Sequence, residues 1–182
     1  MLRAAIAVLL VLSVSLPGCS NAAGGLESYS NPTKGYEFLY PKGWVSLDLS
    51  DSAGKVDAVF RDLVERTENL SVVINEVPED QTLSGLGSPA EVGYRLLKTA
   101  IAPPDSNREA ELISAQTRSG DAHDYYKLEY EVKLPGEELR HNLASVAVTR
   151  GKLFTLNLST SQRRWENRKD QFETVVDSFS VY

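Results

Sequence analysis

The chain contains a single cysteine, Cys19, which restricts both how the fold is stabilised and where the protein resides. An intrachain disulfide is impossible, so the fold must be stabilised by its apolar core. Cys19 follows an apolar run from about residue 4 to residue 16, and Arg3 is the only charge before it. The run is too short to span a bilayer and is typical of the core of a signal peptide. The chain is therefore predicted to be exported.

Residues 16–19 (LPGC) also resemble the cleavage motif of a bacterial lipoprotein signal. Cleavage before Cys19 would leave its thiol free to accept a diacylglyceryl group, because the thiolate is the nucleophile in that alkylation. Pro17 departs from the Ala, Ser or Thr that is more common at its position, whereas the small Gly18 fits the motif. The alternative is an ordinary export signal with a chance cysteine. We predict lipidation at Cys19.

The charge balance describes one acidic domain. Removal of residues 1–18 leaves 164 of the 182 residues, with 18 basic and 25 acidic side chains and a formal charge of −7. This charge excludes nucleic acid as a partner and disfavours electrostatic binding to anionic lipid, so acyl chains must hold the protein at the membrane. We predict a signal peptide over residues 1–18, an acylated cysteine with a flexible tether over 19–30, and one domain over 31–182.

Hydrophobic patterning after residue 30 alternates between strands and helices. Apolar and polar residues alternate strictly over 125–134, which predicts a strand with one buried face. A capping-box pattern at residues 88–91 begins a helix that two prolines end at 103–104, and an apolar stripe predicts a second helix over 161–177. Further strands are predicted over 36–40, 44–47, 56–62, 70–77, 111–117, 139–150, 153–160 and 178–182. Many antiparallel strands with only two helices predict the α+β class, a twisted, mainly antiparallel sheet covered by helices.

Residues suited to catalysis are sparse. The sequence has no Gly-x-Ser-x-Gly elbow and no His-Glu-x-x-His motif, and its one cysteine is predicted to be acylated. We therefore predict that the protein is not an enzyme. A divergent hydrolase is an open alternative, and it would need Ser145 or Ser159 beside a histidine and a buried carboxylate.

A set of possible metal ligands lies in the second half of the chain. Asp121, His123 and Asp124 cluster in a predicted turn, and Glu137 and His141 are four residues apart on a predicted extended segment that would direct them to one side. Carboxylates with an imidazole suit manganese or zinc, and carboxylates alone suit calcium. The plainer interpretation is a solvated acidic turn beside a polar hairpin. We expect no required cofactor, and a weakly bound divalent metal (Ca, Mn or Zn) stays open.

The second predicted helix has a basic shoulder within an acidic protein, formed by Arg163, Arg164, Arg168 and Lys169. These residues are either the ordinary solvated face of the helix or a docking site for an acidic partner. Tyr125 and Tyr126 beside the acidic turn are either interface anchors or core residues.

Residues 31–44 (NPTKGYEFLYPKGW) resemble the opening of the PsbP family. Later segments agree in the same order, so the resemblance covers essentially the whole predicted domain: FRD at 60–62, ENLSVVI at 68–74, YKLEY at 126–130, RH at 140–141, GKLFTLN at 151–157, RW at 164–165 and VVDSF at 175–179. Together with the lipoprotein signal, this resemblance points to the cyanobacterial branch of the family.

The resemblance implies an α/β/α sandwich on the lumenal side of the thylakoid membrane, associated with photosystem II. Chloroplast members are extrinsic subunits of the oxygen-evolving complex that help to retain calcium and chloride. This chain has a short tether in place of their longer soluble N-terminal segment, which favours a role in assembly or stability over ion retention. Expected partners are lumenal subunits or assembly intermediates of photosystem II, bound through Arg140, His141 and the basic shoulder. The alternative function is a membrane-tethered lipoprotein that binds or delivers metal.

Overall fold

A computed structural model describes residues 25–49 and 54–182. The predicted signal peptide and Cys19 lie outside the described residues. The elements in chain order are β1 (Leu26–Asn31), β2 (Tyr36–Pro41), β3 (Trp44–Ser46), β4 (Val56–Asp62), β5 (Asn69–Glu76), α1 (Pro89–Leu96), β6 (Glu109–Ser119), β7 (Asp124–Lys133), β8 (Leu139–Thr149), β9 (Lys152–Ser161), α2 (Gln162–Asp177) and β10 (Ser180–Val181). A 3-10 turn, Ser84–Leu86, precedes α1, and a π-helical turn, Leu97–Ile101, extends it.

The central layer is a seven-stranded antiparallel sheet in the order β3-β4-β5-β9-β8-β7-β6. One face packs against α1. The other packs against α2 and a small sheet in the order β1-β2-β10. The predicted α+β class and the α/β/α sandwich are therefore confirmed, with a second small sheet that the patterning did not separate from the first.

Two apolar cores fill the spaces on either side of the large sheet. The core under α2 is built around buried aromatic residues such as Phe38, Phe154 and Phe172. The core under α1 takes the alternate residues of β7, including Leu128 and Tyr130. Because successive side chains on a strand point to opposite faces, one strand supplies both cores.

Helix α1 begins as the sequence predicts. The Ser88 side chain accepts a hydrogen bond from the Glu91 backbone N–H, and the Glu91 carboxylate accepts one from the Ser88 N–H. These reciprocal bonds satisfy two backbone donors that the first turn leaves unpaired. The hydrogen bond from the Ser88 backbone N–H also lowers the pKa of the Glu91 carboxyl.

The antiparallel register gives the sandwich two distinct ends. The first, here called the tether end, carries the start of β1, the β2–β3 turn, the β4–β5 turn, the β7–β8 turn and the start of α2. The second, the far end, carries the β6–β7 turn, the β8–β9 turn and β10. This division decides which of the candidate residues lie near one another.

The first strand begins at Leu26, within the segment that the sequence analysis predicts to be a flexible tether. Residues 26–31 form β1, which pairs with β2 over its whole length, and Tyr29 packs against Phe38 and Phe60. The small polar residues of this segment are typical of a flexible linker. They are equally compatible with a short edge strand, which needs few apolar side chains of its own. Within the described part of the chain, no helix is both long and apolar enough to cross a membrane.

Candidate functional site

The basic shoulder of α2 is organised around a buried carboxylate. Glu68 precedes β5 and has no exposed surface. Its oxygens accept hydrogen bonds from Thr160 Oγ1 at 2.7 Å and Arg164 Nε at 2.6 Å, and Arg168 Nη2 lies 3.7 Å away. The hydrogen bond to Glu68 raises the pKa of the Arg164 guanidinium above its ordinary value. Two of the four shoulder cations, Arg164 and Arg168, therefore pair with a buried carboxylate.

His141 is also an internal residue. It lies on the face of β8 that α2 covers, and its ring stacks on Trp165 with the ring centroids 3.8 Å apart. Nε2 contacts a Glu129 carboxylate oxygen at 2.8 Å, and Nδ1 contacts the Gln162 side-chain oxygen at 3.0 Å. The Glu131 carboxylate is 3.6 Å from Nδ1. His141 thus joins two carboxylates of β7 to the first turns of α2.

Arg140 points to the opposite face of the sheet from His141, as strand alternation requires. Its guanidinium donates to Ser159 Oγ and to the Thr67 carbonyl oxygen and also contacts Glu138. Arg140 lines a cavity of about 320 Å³ together with Tyr130, Asn142 and Asn157, among other residues. Arg140 and His141 are therefore buried on opposite faces of the sheet and do not share one surface with the shoulder, and their docking role stays a prediction.

Two of the predicted docking residues are exposed, namely Arg163 and Lys169 on the outer side of α2. The side chains of Arg164 and Arg168 are only 36% and 26% exposed. Helix geometry produces this split, because residues 164 and 168 are four apart and share the face turned to Glu68. A docking surface on α2 is thus smaller than the run of four cations suggests.

The candidate metal ligands do not form one cluster. Asp121, His123 and Asp124 lie in the β6–β7 turn at the far end, whereas Glu137 and His141 lie at the tether end. Asp124 and Glu131, the partner of His141, are seven residues apart along β7, which is roughly 23 Å of strand. Glu137 belongs to a turn with a φ of 66°, not to the extended segment predicted for it. Among residues 25–49 and 54–182, no three His, Cys, Asp or Glu side chains are grouped to hold a metal ion.

The remaining candidates have structural roles. Tyr125 and Tyr126 are both buried, so the choice between core and interface is decided in favour of the core. Ser159 Oγ accepts its hydrogen bonds from Arg140, and Ser145 Oγ is buried without a partner among the described residues. Neither serine has a histidine as its hydrogen-bond partner, so nothing in the geometry supports the hydrolase alternative.

Hydrogen bonds also perturb acidic groups near the shoulder. Burial tends to raise the pKa of the Asp62 carboxyl, but hydrogen bonds from the backbone N–H groups of Glu65 and Val64 and from the Trp44 indole more than reverse this effect. The pKa of Asp62 therefore lies below its ordinary value.

Burial raises the pKa of Tyr130 far above its ordinary value, so its hydroxyl stays a donor to Asn157 at 2.6 Å.

Glu68 is the residue of this site that the sequence pattern does not identify. A single glutamate before an apolar strand resembles an exposed strand end, and its partners lie 92 and 96 residues away. No local signal identifies such a pair. The short sequence ENLSVVI, which carries part of the family resemblance, is the only hint that the sequence contains.

Comparisons with known proteins agree with this architecture. The family model described as PsbP matches residues 24–181. A protein named CyanoP from Synechocystis sp. (strain ATCC 27184 / PCC 6803 / Kazusa) is 48% identical over 180 residues, which covers 98% of this chain and 96% of the relative. CyanoP from Thermosynechococcus vestitus is 49% identical over 178 residues, covering 96% of this chain and 95% of the relative.

The solution structure of CyanoP from Synechocystis sp. PCC 6803 has a TM-score of 0.75 to this chain at 49% sequence identity. It covers 93% of this chain and 99% of that structure. The sandwich, the near-complete family match and the two full-length relatives lead to one assignment. The chain belongs to the PsbP family.

Proposed function

We propose that this protein is a lipid-anchored, non-catalytic accessory protein of photosystem II on the lumenal side of the thylakoid membrane, where it assists assembly or stability of the oxygen-evolving complex. The observation that carries the proposal is the match to the PsbP family, which is associated with photosystem II, over residues 24–181. Anchoring rests on the lipoprotein motif that ends at Cys19. Restriction to the membrane surface raises the effective concentration of the domain near its partner.

The exposed cations of α2 are the proposed docking residues. Arg163 and Lys169 project from the outer side of the helix, while Arg164 and Arg168 are turned towards Glu68. Long charged side chains that rim an interface affect partner choice and association rate more than affinity. The internal pairs keep α2 fixed on the sheet, so the two outer cations are presented from a rigid element.

For the metal-binding alternative, we propose a site at the far end of the domain. Asp121, His123 and Asp124 share the β6–β7 turn, and a cavity of about 390 Å³ lies beside His123 and Asp124. Calorimetric titration with manganese, zinc and calcium tests this alternative, with His123→Ala as the comparison. A heat of metal binding that is measured for the wild type and disappears in His123→Ala would favour metal binding over association with photosystem II as the function.

The primary experiment is affinity purification from solubilised thylakoids with a tag after Tyr182, followed by mass spectrometry. The C-terminus lies at the far end, away from the tether, so a tag there leaves the anchor unobstructed. Recovery of photosystem II assembly intermediates, reduced in Cys19→Ser, is the expected result. Recovery of mature oxygen-evolving complexes alone would instead indicate a structural subunit. Recovery of no photosystem II subunit would contradict the proposal.

A charge-reversal pair separates docking from net charge. Arg163→Glu/Lys169→Glu should weaken recovery of photosystem II subunits. The control is Lys55→Glu/Lys98→Glu, which changes two other exposed lysines and alters the net charge by the same amount. Equal recovery with both double variants would exclude the outer face of α2 as the docking surface.

A further inference from the structure

The anchor is shorter than the sequence suggests, and this brings one end of the domain to the membrane. β1 begins at Leu26, and the Gly25 carbonyl oxygen already accepts a hydrogen bond from the Lys42 N–H at 2.8 Å. Only six peptide units join Cys19 to Gly25, so the fully extended connection spans at most about 22 Å. A lipid on Cys19 would therefore hold the tether end close to the headgroups.

The β4–β5 turn at this end presents two adjacent aliphatic side chains to solvent. Leu63 is 62% exposed and Val64 is 94% exposed. Burial of such side chains is favourable, so two neighbouring exposed ones at a turn need a reason. Both are located where an external apolar phase can reach them without any rearrangement of the core.

Hydrogen bonds hold this turn in a defined shape. The Asp62 carboxylate accepts from the backbone N–H groups of Val64 at 2.7 Å and Glu65 at 3.0 Å. The Glu65 carboxylate in turn accepts from Thr67 Oγ1 at 2.6 Å, and Asp62 and Glu68 are joined through their backbones. The turn therefore displays its two aliphatic side chains from a fixed backbone, which reduces the entropy cost of inserting them into another phase.

The turn is also close to the point where the tether enters the domain. Lys42 bonds to Gly25, Trp44 follows two residues later, and Trp44 pairs with Asp62 across β3 and β4. Val64 is two residues beyond Asp62. Standard chain and sheet spacings place Val64 within about 25 Å of Gly25. Both features belong to the same side of the tether end.

The surroundings suit a lipid surface. Arg66 is exposed two residues after Val64, and the exposed Lys42 lies two residues before Trp44, which pairs with Asp62. Cationic side chains at this depth contact headgroup phosphates while aliphatic ones reach the acyl boundary. The acidic turn containing Glu137 also lies at the tether end, but it joins β7 and β8, on the opposite side of the large sheet from β3–β5. Its negative charge favours a tilt of the domain that brings β1–β5 closer to the membrane than β7 and β8.

We propose that Leu63 and Val64 form a membrane-inserting tip that, with the lipid on Cys19, holds the domain in a fixed orientation on the bilayer. The partner surface is the lipid interface beneath the anchor. This inference rests on the anchoring part of the proposed function. With the tether end facing lipid, the far end and its acidic β6–β7 turn point into the aqueous compartment.

The test measures how deeply residue 64 enters the bilayer. The naturally lipidated full chain carrying Val64→Trp is reconstituted into phosphatidylcholine vesicles with or without brominated acyl chains, which quench tryptophan on contact. The two native tryptophans, Trp44 and Trp165, are each 4% exposed and supply a constant background. The control is Val56→Trp at the far end, where the native valine is 38% exposed.

A second arm separates the tip from the anchor. Because Cys19 is the only cysteine, unlipidated chain can be coupled through its thiol to a maleimide-bearing phospholipid in the same vesicles. If chain from membranes carries no lipid, the anchoring part of the proposed function fails, while this arm still decides whether the tip inserts.

The expected result is a shift of emission to shorter wavelength and quenching by brominated lipid for Val64→Trp but not for Val56→Trp. Adding Leu63→Asp to Val64→Trp should abolish both effects, because a charge beside the probe opposes insertion. Unquenched, water-exposed emission from position 64 would overturn the proposal. Equal quenching at positions 56 and 64, or quenching that survives Leu63→Asp, would overturn it as well.

Discussion

Replacing Arg164 with leucine removes the closest cation from a carboxylate that has no exposed surface. Glu68 would retain the Thr160 hydroxyl as a donor and Arg168 at 3.7 Å. Removing one partner of a buried ion pair costs about 3–5 kcal/mol, because the remaining charge has lost its solvation and gained nothing in exchange. Arg164→Leu is therefore expected to lower the free energy of unfolding substantially.

Two features of the site reduce that magnitude. The Arg164 side chain is 36% exposed, so water screens the pair and can enter when the side chain is shortened. Arg168 also supplies part of the lost attraction. A decrease of about 2–3 kcal/mol is expected, which for a domain of this size corresponds to a fall of roughly 5–10 °C in the melting temperature.

Urea unfolding followed by linear extrapolation measures this change, and the m-value should stay constant. Arg163→Leu is the matched control, since Arg163 is the neighbouring exposed cation on the same helix, and it should change stability by less than about 0.5 kcal/mol. The double variant Glu68→Met/Arg164→Leu should be more stable than Arg164→Leu alone, because it removes the buried carboxylate that Arg164→Leu leaves without its closest cation. Equal stability of the Arg164→Leu and Arg163→Leu variants would refute the reasoning, as would strict additivity in the double variant.

Three further predictions concern the backbone and its caps, each measured by urea unfolding. Asp62→Asn should destabilise by about 1 kcal/mol at pH 7. Since the folded pKa of Asp62 is lowered, its stabilisation is present above the unfolded pKa of about 3.9 and is lost as the pH falls through the folded value, so the difference from wild type should shrink below about pH 4. A difference that persists at low pH would contradict this. Ser88→Ala should cost about 1 kcal/mol through loss of the α1 cap, and no change would argue against the capping box. Gly35→Ala should cost at least about 1 kcal/mol more than Gly136→Ala. Both glycines have positive φ, but a β-carbon at position 35 would lie 2.6 Å from the Tyr182 carbonyl oxygen, whereas position 136 is open, so equal costs would exclude the steric contribution.

Secondary structure was largely predictable because its signals are local. The alternation over 125–134 corresponds to β7, the cap at 88–91 begins α1, and the apolar stripe over 161–177 corresponds to α2. The edge strand β1 was not predicted, since its pairing with β2 supplies stability that its own side chains do not reveal. The family resemblance added the layer order that patterning alone left open.

The candidate sites were less predictable, because they depend on which faces and ends the residues occupy. Arg140 and His141 are neighbours in sequence and point to opposite faces of one strand. His123 and His141 are separated by the length of β7. Glu68 and Arg164, 96 residues apart, form an ion pair whose carboxylate has no exposed surface.

The sequence by itself determined the predicted export and lipidation signal, the α+β class, the positions of most strands and both helices, and the family. These properties follow from local composition, spacing and motif order, which a linear chain displays directly. The tertiary structure alone decided which cations face solvent, which carboxylates are buried, that β1 begins at Leu26, and that Leu63 and Val64 lie at the same end of the fold as the start of β1. Those outcomes depend on strand register and on contacts between residues far apart in the chain, where burial and pairing of a side chain are set by its neighbours in space.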